Sequence, residues 1–239
     1  MFTMPIFGAG QRYQIPKSLQ LRASASAYLS RTYTSAASWT LSCFVKRGTL
    51  RVITPILEGA LQFNANDTLT AFGVTTTAVF RDPTSHYHVV LNSSGLYING
   101  VSLGVPTTTA RTNSRIGYNG TQYFDGYLSE INFIDGKSLT PASFGEFNSA
   151  GVWIPKKYSG LYGTNGFYLP FSDGSSLANL TADKSGNGNN WTANNVSLTA
   201  GATYNWMDDT PTNNFCVLNA VRASSVTLSE ANLRAAIVS

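Results

Sequence analysis

Short stretches in which apolar and polar residues alternate, each ended by a turn sequence, recur along most of this chain. In the segment 39–45 every second residue is apolar, and a strand would turn that row to one face: Trp39, Leu41, Cys43 and Val45. Repeated short strands separated by turns are typical of β-sandwiches and β-barrels. A length of 239 residues suits one domain of this kind. The sequence therefore predicts an all-β fold, a two-sheet antiparallel sandwich with very little helix.

The alternating pattern predicts further strands at 18–21, 27–30, 86–91, 96–99, 123–134 and 166–171. Asn99 and Gly100 both tolerate positive φ, which predicts a tight hairpin turn between two of them. A helix is expected at 139–147, where Thr140 can cap the first turn and Pro141 suits its first position. The segment 229–237 is compatible with a helix capped by Ser229 or with a strand. The residues expected to be mainly buried are Trp39, Leu41, Cys43, Val89, Leu91, Tyr97, Ile131 and Phe133.

Charged residues are scarce, and this limits the classes of partner. They make up 12% of the chain, about half of what soluble domains usually carry, whereas 43% of the residues are hydrophobic. The chain is therefore expected to fold, with a polar but weakly charged surface. Its net charge of +4 comes from scattered residues, and the densest basic pairs are Lys46-Arg47 and Lys156-Lys157. Because they form no stripe interleaved with aromatic residues, we expect no nucleic-acid binding.

The cysteines and the N-terminal residues bear on where the protein is located. Cys43 and Cys216 are too few for a disulfide framework, and Cys43 reads most simply as a small buried apolar residue, although a bridge between the two stays open. The first ten residues have no cationic start and only a short apolar stretch broken by Pro5, so neither a signal peptide nor membrane insertion is expected. A protein that is exposed outside cells but lacks a secretion signal fits one route well, which is release by cell lysis as part of an assembled virus particle. We therefore predict that the protein is located in a virion.

The order of several motifs resembles the concanavalin A-like and laminin-G-like jelly-roll domains of tailed-phage structural proteins. The segments that carry the resemblance are 18–21, 27–32, 39–47, 86–90, 96–100, 125–134, 139–144, 171–176, 183–189 and 209–215. It covers roughly residues 12–220 and implies a lectin-like jelly roll at 17–220, flanked by an N-terminal arm at 1–16 and a C-terminal tail at 221–239. In longer relatives the Asn-Asn-Phe-Cys segment is often followed by a module resembling a SPRY domain, whereas this chain ends at Ser239.

Laminarinase-like glycosidases share this fold and use carboxylates spaced along one strand as nucleophile and general acid. Here the best match is the segment 130–135, which has Asn132 in place of the middle acid. An amide can serve neither role, and in a regular strand Asp135 faces the opposite side from Glu130. We therefore expect Glu130 to be a solvent-facing residue of a structural strand and the protein to be no enzyme.

Two short patterns resemble metal sites. His86 and His88 lie two residues apart, so a strand would place both on one face, but no Cys, Asp or Glu adjoins them and a structural role is favoured. Asp183, Ser185 and Asn187 imitate the start of a calcium loop, yet the twelfth position, Asn194, is not an acid. Asp183 and Asn187 remain weak calcium candidates, and a turn whose side chains bond to its own backbone is the simpler interpretation. No other cofactor is expected.

Aromatic residues in turn-rich segments are the candidates for ligand binding. Lectins stack sugar rings on exposed Tyr and Trp while Asn and Asp hold the hydroxyl groups. Although most aromatic side chains of a sandwich belong to its core, the candidate glycan-binding residues are Tyr118, Asn119, Tyr123, Tyr204 and Trp206.

Together these observations favour a non-enzymatic virion protein of a tailed phage, either a tail fibre or appendage or a capsid decoration, acting in adhesion or reinforcement. The rival hypotheses are a glycoside hydrolase and a free lectin of the same fold. The expected partners are other virion proteins, copies of the chain and a host-surface glycan. Few charges mean a small desolvation cost when such surfaces are covered. The apolar residues of the arm suggest an anchor against a neighbour: Phe2, Met4, Ile6, Phe7 and Ile15.

Overall fold

The computed structural model describes residues 12–218, 226–229 and 234–237, and these are mostly β-structure. The strands are β1 (Ser18–Leu21), β2 (Tyr28–Thr34), β3 (Trp39–Arg47), β4 (Thr54–Leu57), β5 (Leu61–Phe63), β6 (Thr68–Ala71), β7 (Val74–Val79), β8 (Tyr87–Asn92), β9 (Gly95–Ile98), β10 (Val101–Gly104), β11 (Thr112–Ile116), β12 (Gly126–Asp135), β13 (Gly145–Phe147), β14 (Trp153–Pro155), β15 (Phe167–Leu169), β16 (Thr192–Asn194), β17 (Trp206–Met207), β18 (Val226–Ser229) and β19 (Arg234–Ile237). In these residues helix is limited to α1 (Leu177–Leu180) and to 3₁₀ turns at Ala23–Ala25 and Pro141–Ser143. The predicted all-β class with very little helix is confirmed.

Two antiparallel sheets form the sandwich. The eight-stranded sheet has the order β10-β9-β8-β3-β12-β1-β17, and β15 also pairs with β12. The seven-stranded sheet has the order β16-β2-β11-β4-β5-β6-β7. The hairpins β13–β14 and β18–β19 pair separately from both sheets.

The core between the sheets contains the row that the alternation predicted in β3. Trp39, Leu41, Cys43 and Val45 are all buried in it, together with Val89, Leu91, Ile131 and Phe133. Tyr97 is only half-buried, because it packs with Val90, Ile134 and Phe144 in a second cluster. The predicted core is thus confirmed except for the depth of Tyr97.

The eight-stranded sheet is covered on its other face as well. Thr40, Ser42 and Phe44, which alternate with the inward row of β3, are also buried. Phe144, Tyr158 and Tyr162 pack over this face in the second cluster. Tertiary contacts with the segments 139–162 and 209–215 explain why both rows of β3 are shielded, whereas β2 keeps an uncovered row on the seven-stranded sheet.

The helix expected at 139–147 was wrong beyond its first turn. Pro141 does open a helical turn after Thr140, but the turn is 3₁₀, lasts only to Ser143 and has no side-chain cap. The chain then enters β13, where a Cβ on Gly145 would lie 2.5 Å from the Trp153 ring, so cross-strand pairing with β14 replaces the helix. In the tail, Arg234–Ile237 is a strand paired with Val226–Ser229, which decides for the strand alternative.

The Asn99-Gly100 hairpin is confirmed. Both residues have positive φ, 49° and 79°, and they join β9 to β10. The longest strand starts at Gly126 and not at Tyr123, because Tyr123 instead forms an isolated bridge with Tyr118.

The basic pair Lys46-Arg47 is buried, which its sequence did not indicate. The Lys46 ammonium lies 2.7 Å from the Asp209 carboxylate and also donates to Asn214 Oδ1 and the Phe215 carbonyl. The Arg47 guanidinium pairs with Asp67 at 3.1 Å. Both cations therefore serve the interior of the fold and not its surface.

Two further expectations concern the cysteines and the arm. Cys43 is buried and Cys216 exposed, and both are free, so the bridge does not form. Burial raises the pKa of the Cys43 thiol to about 12.

Ile15 is buried and its amide donates to Thr212 Oγ1 at 2.9 Å, so this end of the predicted arm packs on its own domain, whereas residues 1–11 lie outside the described part. Within the described residues no helix is long and apolar enough to cross a membrane.

Candidate functional site

The uncovered face of the seven-stranded sheet carries the candidate site. In β2, Leu29 and Tyr33 are buried in the core, whereas Tyr28 and Ser30, on either side of Leu29, stay partly exposed. Ser30 lies in register with Arg115 of β11 on one side and Thr192 of β16 on the other. These strands line an open groove of about 430 Å³.

Three tyrosine rings gather at one end of this groove, and we call Tyr28, Tyr118 and Tyr123 the tyrosine patch. Tyr118 and Tyr123 stack with ring centroids 4.3 Å apart and planes 13° apart, because the isolated bridge makes them cross-strand neighbours. The Tyr28 ring lies 5.1 Å from Tyr118 and 6.2 Å from Tyr123. All three side chains are partly exposed, so aromatic surface remains open to a ligand.

Polar groups surround and hold the tyrosine patch. Asn119 Oδ1 accepts hydrogen bonds from the amides of Thr121 and Gln122, which closes the turn between the stacked rings. The Arg115 guanidinium lies 5.2 Å from the Tyr118 ring and pairs with Glu58 at 3.1 Å, with both partners partly exposed. The patch thus combines flat rings with amide and guanidinium donors whose charge is balanced nearby.

Tyr204 and Trp206 do not join the tyrosine patch, so the five predicted glycan-binding residues form no single site. Trp206 belongs to β17, on the edge of the other sheet, and donates from Nε1 to the Phe171 carbonyl at 2.7 Å. Its ring lies 4.0 Å from the Lys17 ammonium and packs on the core. Tyr28 was missed, although its place between the apolar residues Ala27 and Leu29, both buried, is a signal that could have found it.

Glu130 is not the solvent-facing residue that the sequence predicted. It is 4% exposed and has φ of 53°, because the pairing of β12 with β3 shifts between Ser129 and Asn132. Its Oε1 accepts hydrogen bonds from the hydroxyl groups of Tyr13 and Tyr168. Burial raises the pKa of the Glu130 carboxyl, and the two hydroxyl groups offset only part of this effect.

The other two polar residues of that strand hold backbone and side chains. Asn132 donates from Nδ2 to the Glu130 carbonyl at 3.0 Å and accepts from the Tyr162 hydroxyl at 2.8 Å. The Asp135 carboxylate accepts from the amides of Ala36 and Asn165. The strand therefore offers one buried carboxyl and no second acid free for chemistry among 130–135.

The two histidines have separate environments. His88 is fully buried and accepts at Nδ1 from Trp153 Nε1 at 2.9 Å, so its proton is on Nε2, 2.8 Å from Ser42 Oγ. Burial lowers the pKa of His88 to about 3, which keeps the ring neutral. His86 Nε2 instead lies 2.9 Å from Asp209. No cluster of three or more His, Cys, Asp or Glu suited to a metal occurs in the described chain.

The loop that imitates a calcium site is held by its own hydrogen bonds. Asp183 accepts from the amides of Tyr168, Ser185 and Asn189 and from the Ser185 hydroxyl. Asn187 donates from Nδ2 to the carbonyls of Gly163 and Gly166. This arrangement fits a backbone-holding role better than a calcium site, because an ion would have to displace contacts that shape the loop.

No protein-family model matches this sequence, and no curated protein matches it. The fold is similar to the crystal structure of a "putative carbohydrate binding protein" from Bacteroides ovatus, with a TM-score of 0.53 and 18% sequence identity. The match covers 76% of this chain and 59% of the other, so this chain spans about three fifths of that protein's length. At this identity the likeness shows the sandwich fold alone.

Proposed function

We propose that this protein binds carbohydrate without turning it over, through the tyrosine patch and the groove beside it. The observation that carries the proposal is the stacked pair Tyr118 and Tyr123, which stands with Tyr28 on a sheet face that nothing in the described chain covers. Aromatic faces take up the apolar side of a sugar ring, while amide and guanidinium groups bond to its hydroxyls. The likeness to a sandwich with a carbohydrate-binding name adds to this argument.

Binding without turnover is supported by the chemistry of the candidate carboxylates. A retaining glycosidase needs two carboxyl groups about 5–5.5 Å apart, and an inverting one a wider pair. At 130–135 one position is an amide, and Asp135 is engaged with backbone amides. The groove beside the tyrosine patch includes no acidic residue among those that line it.

Replacing Tyr123 with alanine should weaken polysaccharide binding by about tenfold or more, because one face of the stacked pair is lost. The measurement is isothermal titration calorimetry with soluble laminarin and with purified bacterial surface polysaccharide, after a glycan array has ranked them. Tyr204→Ala is the matched control, since Tyr204 forms an isolated bridge with Ser197 and has no ring contact with the tyrosine patch among the described residues, and it should leave the affinity unchanged.

The same incubations should release no reducing sugar. The proposal fails if the unaltered protein binds none of the arrayed glycans, or if Tyr123→Ala binds as tightly as the unaltered protein. Release of reducing sugar that Glu130→Gln abolishes would overturn the non-catalytic part and favour a glycoside hydrolase.

We further propose that this binding serves adhesion or reinforcement on a tailed-phage virion. The support is the resemblance in motif order across roughly residues 12–220 and the charged fraction of 12%, which suits surfaces covered by other proteins. Mass spectrometry of purified particles should find the protein at a defined copy number. Its recovery only in the particle-free lysate would contradict the virion assignment and favour a free lectin.

A further inference from the structure

A second cavity lies over β12 and β15, on the face of the eight-stranded sheet that points away from the core. Its volume is about 560 Å³, and four tyrosines line it: Tyr13, Tyr158, Tyr162 and Tyr168. All four are partly exposed, so their rings present open surface. We call this the tyrosine cavity; it shares no lining residue with the groove beside the tyrosine patch.

The hydroxyl protons of these tyrosines are already used. Tyr13 and Tyr168 donate to Glu130 Oε1, Tyr162 donates to Asn132 Oδ1, and Tyr158 donates to the Leu161 carbonyl. The phenolic oxygens can therefore act only as acceptors toward a further molecule. A ligand that fills the cavity must bring hydrogen-bond donors of its own.

Glu130 lies behind these rings and sets their orientation. Its Oε1 accepts from two of them, and its Oε2 is buried with no hydrogen-bond partner in the described structure. The residue keeps a left-handed backbone conformation that non-glycine residues rarely adopt, which is a feature common at functional sites. Glu130 is thus a positioning residue that holds an acceptor-rich wall.

The rim of the tyrosine cavity is positively charged. Lys157 and Lys184 line it, both are exposed, and neither belongs to an ion pair found among the described residues. No acidic residue is among the lining residues. A cationic ligand would meet two like charges, whereas an anionic one would be attracted.

We propose that the tyrosine cavity binds an acidic saccharide. The ring stacks on the tyrosines, its hydroxyl groups donate to their phenolic oxygens, and its carboxylate pairs with Lys157 and Lys184. The inference goes beyond the proposed function, since it concerns a different site and a charged class of sugar.

The test measures binding of trigalacturonate, with galactotriose as its uncharged counterpart, by isothermal titration calorimetry. Trigalacturonate should bind and galactotriose should bind at least about tenfold more weakly at this site. The double variant Lys157→Met/Lys184→Met should weaken trigalacturonate binding by about tenfold or more, while Lys156→Met, one residue away and outside the lining, should not. Raising salt from about 0.05 M to about 0.5 M should weaken binding, because screening shortens the range of the lysine charges.

Glu130→Gln reports on the positioning role. It should weaken trigalacturonate binding and leave the salt dependence unchanged, since the lysines remain. Equal affinity for the charged and uncharged sugars, or an unchanged affinity in a double variant that melts like the unaltered protein, would overturn the proposal. Loss of trigalacturonate binding in Tyr123→Ala alone would also overturn it and assign the sugar to the tyrosine patch. Failure of laminarin to bind at the tyrosine patch would count against the proposed function alone, because the tyrosine cavity shares no lining residue with the groove beside that patch.

Discussion

Asp209→Asn should lower the free energy of unfolding by about 3–5 kcal/mol, the usual cost of breaking a buried ion pair. Asp209 is 2% exposed and accepts from Lys46 Nζ at 2.7 Å, and the Lys46 side chain is itself fully buried. An amide in its place removes the negative charge and one acceptor oxygen, so the buried ammonium keeps only neutral acceptors such as Asn214 Oδ1 and the Phe215 carbonyl. The same carboxylate faces His86 Nε2 and the Phe215 amide, so the variant also loosens the segment 209–215.

Asp208 provides the matched control one residue away. Its ion pair with Lys17 is as short, 2.6 Å, but Asp208 is 60% exposed, and Asp208→Asn should cost about 1 kcal/mol or less. Urea unfolding of the two variants, followed by tryptophan fluorescence, measures the difference. Equal losses in the free energy of unfolding of the two variants would show that burial does not determine how much the Lys46–Asp209 pair stabilises the fold.

The pair also predicts how stability responds to acid. Burial opposes ionisation of Asp209, but hydrogen bonds from His86 and Lys46 outweigh it and lower the pKa of its carboxyl. A carboxyl with a lowered folded-state pKa stabilises the fold above its unfolded value, near pH 4, and this contribution is lost as the pH falls through the folded pKa. The difference in stability between the unaltered protein and Asp209→Asn should therefore be full at pH 6 and shrink below about pH 4.

Trp39→Ala should lower the free energy of unfolding by about 3–5 kcal/mol. The Trp39 ring is fully buried and stacks on Phe133 with centroids 5.3 Å apart. Its Nε1 donates to the Thr109 carbonyl at 2.7 Å, so the variant leaves both a cavity and an unpaired acceptor. Leu161→Ala, at a side chain that is 79% exposed, should cost no more than about 0.5 kcal/mol.

Equilibrium unfolding in urea compares the two variants at one pH and temperature. A loss below about 1.5 kcal/mol in Trp39→Ala would mean that the core closes over the missing ring, contrary to the close packing of the two sheets. The circular dichroism of the unaltered protein should show predominantly β-structure, as the strand content requires.

The local pattern of the sequence was sufficient for several of the strands, although it did not predict those between Thr54 and Val79. Ser18–Leu21 was predicted with its observed bounds, and the segment from Trp39 was extended only by Lys46 and Arg47. Alternation is a property of neighbouring residues, and burial of one face produces it directly. The Asn99-Gly100 turn was predicted for the same reason, because its conformational requirement belongs to two adjacent residues.

The residues of the candidate site differ in the same way, because the sequence predicted the proximity of some of them and not of others. Tyr118, Asn119 and Tyr123 flank one turn, so their proximity follows from the sequence. Tyr28 joins them only through the register of β2 with β11, which pairs segments far apart in the chain. Tyr204 and Trp206 resembled the others in local context, but the strand of Trp206 pairs on the other sheet and Tyr204 forms an isolated bridge with Ser197.

Only the tertiary structure determined which charged residues are buried and which partners they contact. Lys46 and Asp209 are 163 positions apart, and nothing near either one indicates that they meet in the interior. Glu130 was expected on a solvent face because an uninterrupted strand was assumed, whereas the shifted register and the tyrosines of distant segments bury it. A periodic pattern records which face of an element is covered by apolar contacts. Which distant groups pair, and which cavities they form, depends on sheet register and on the segments packed over it.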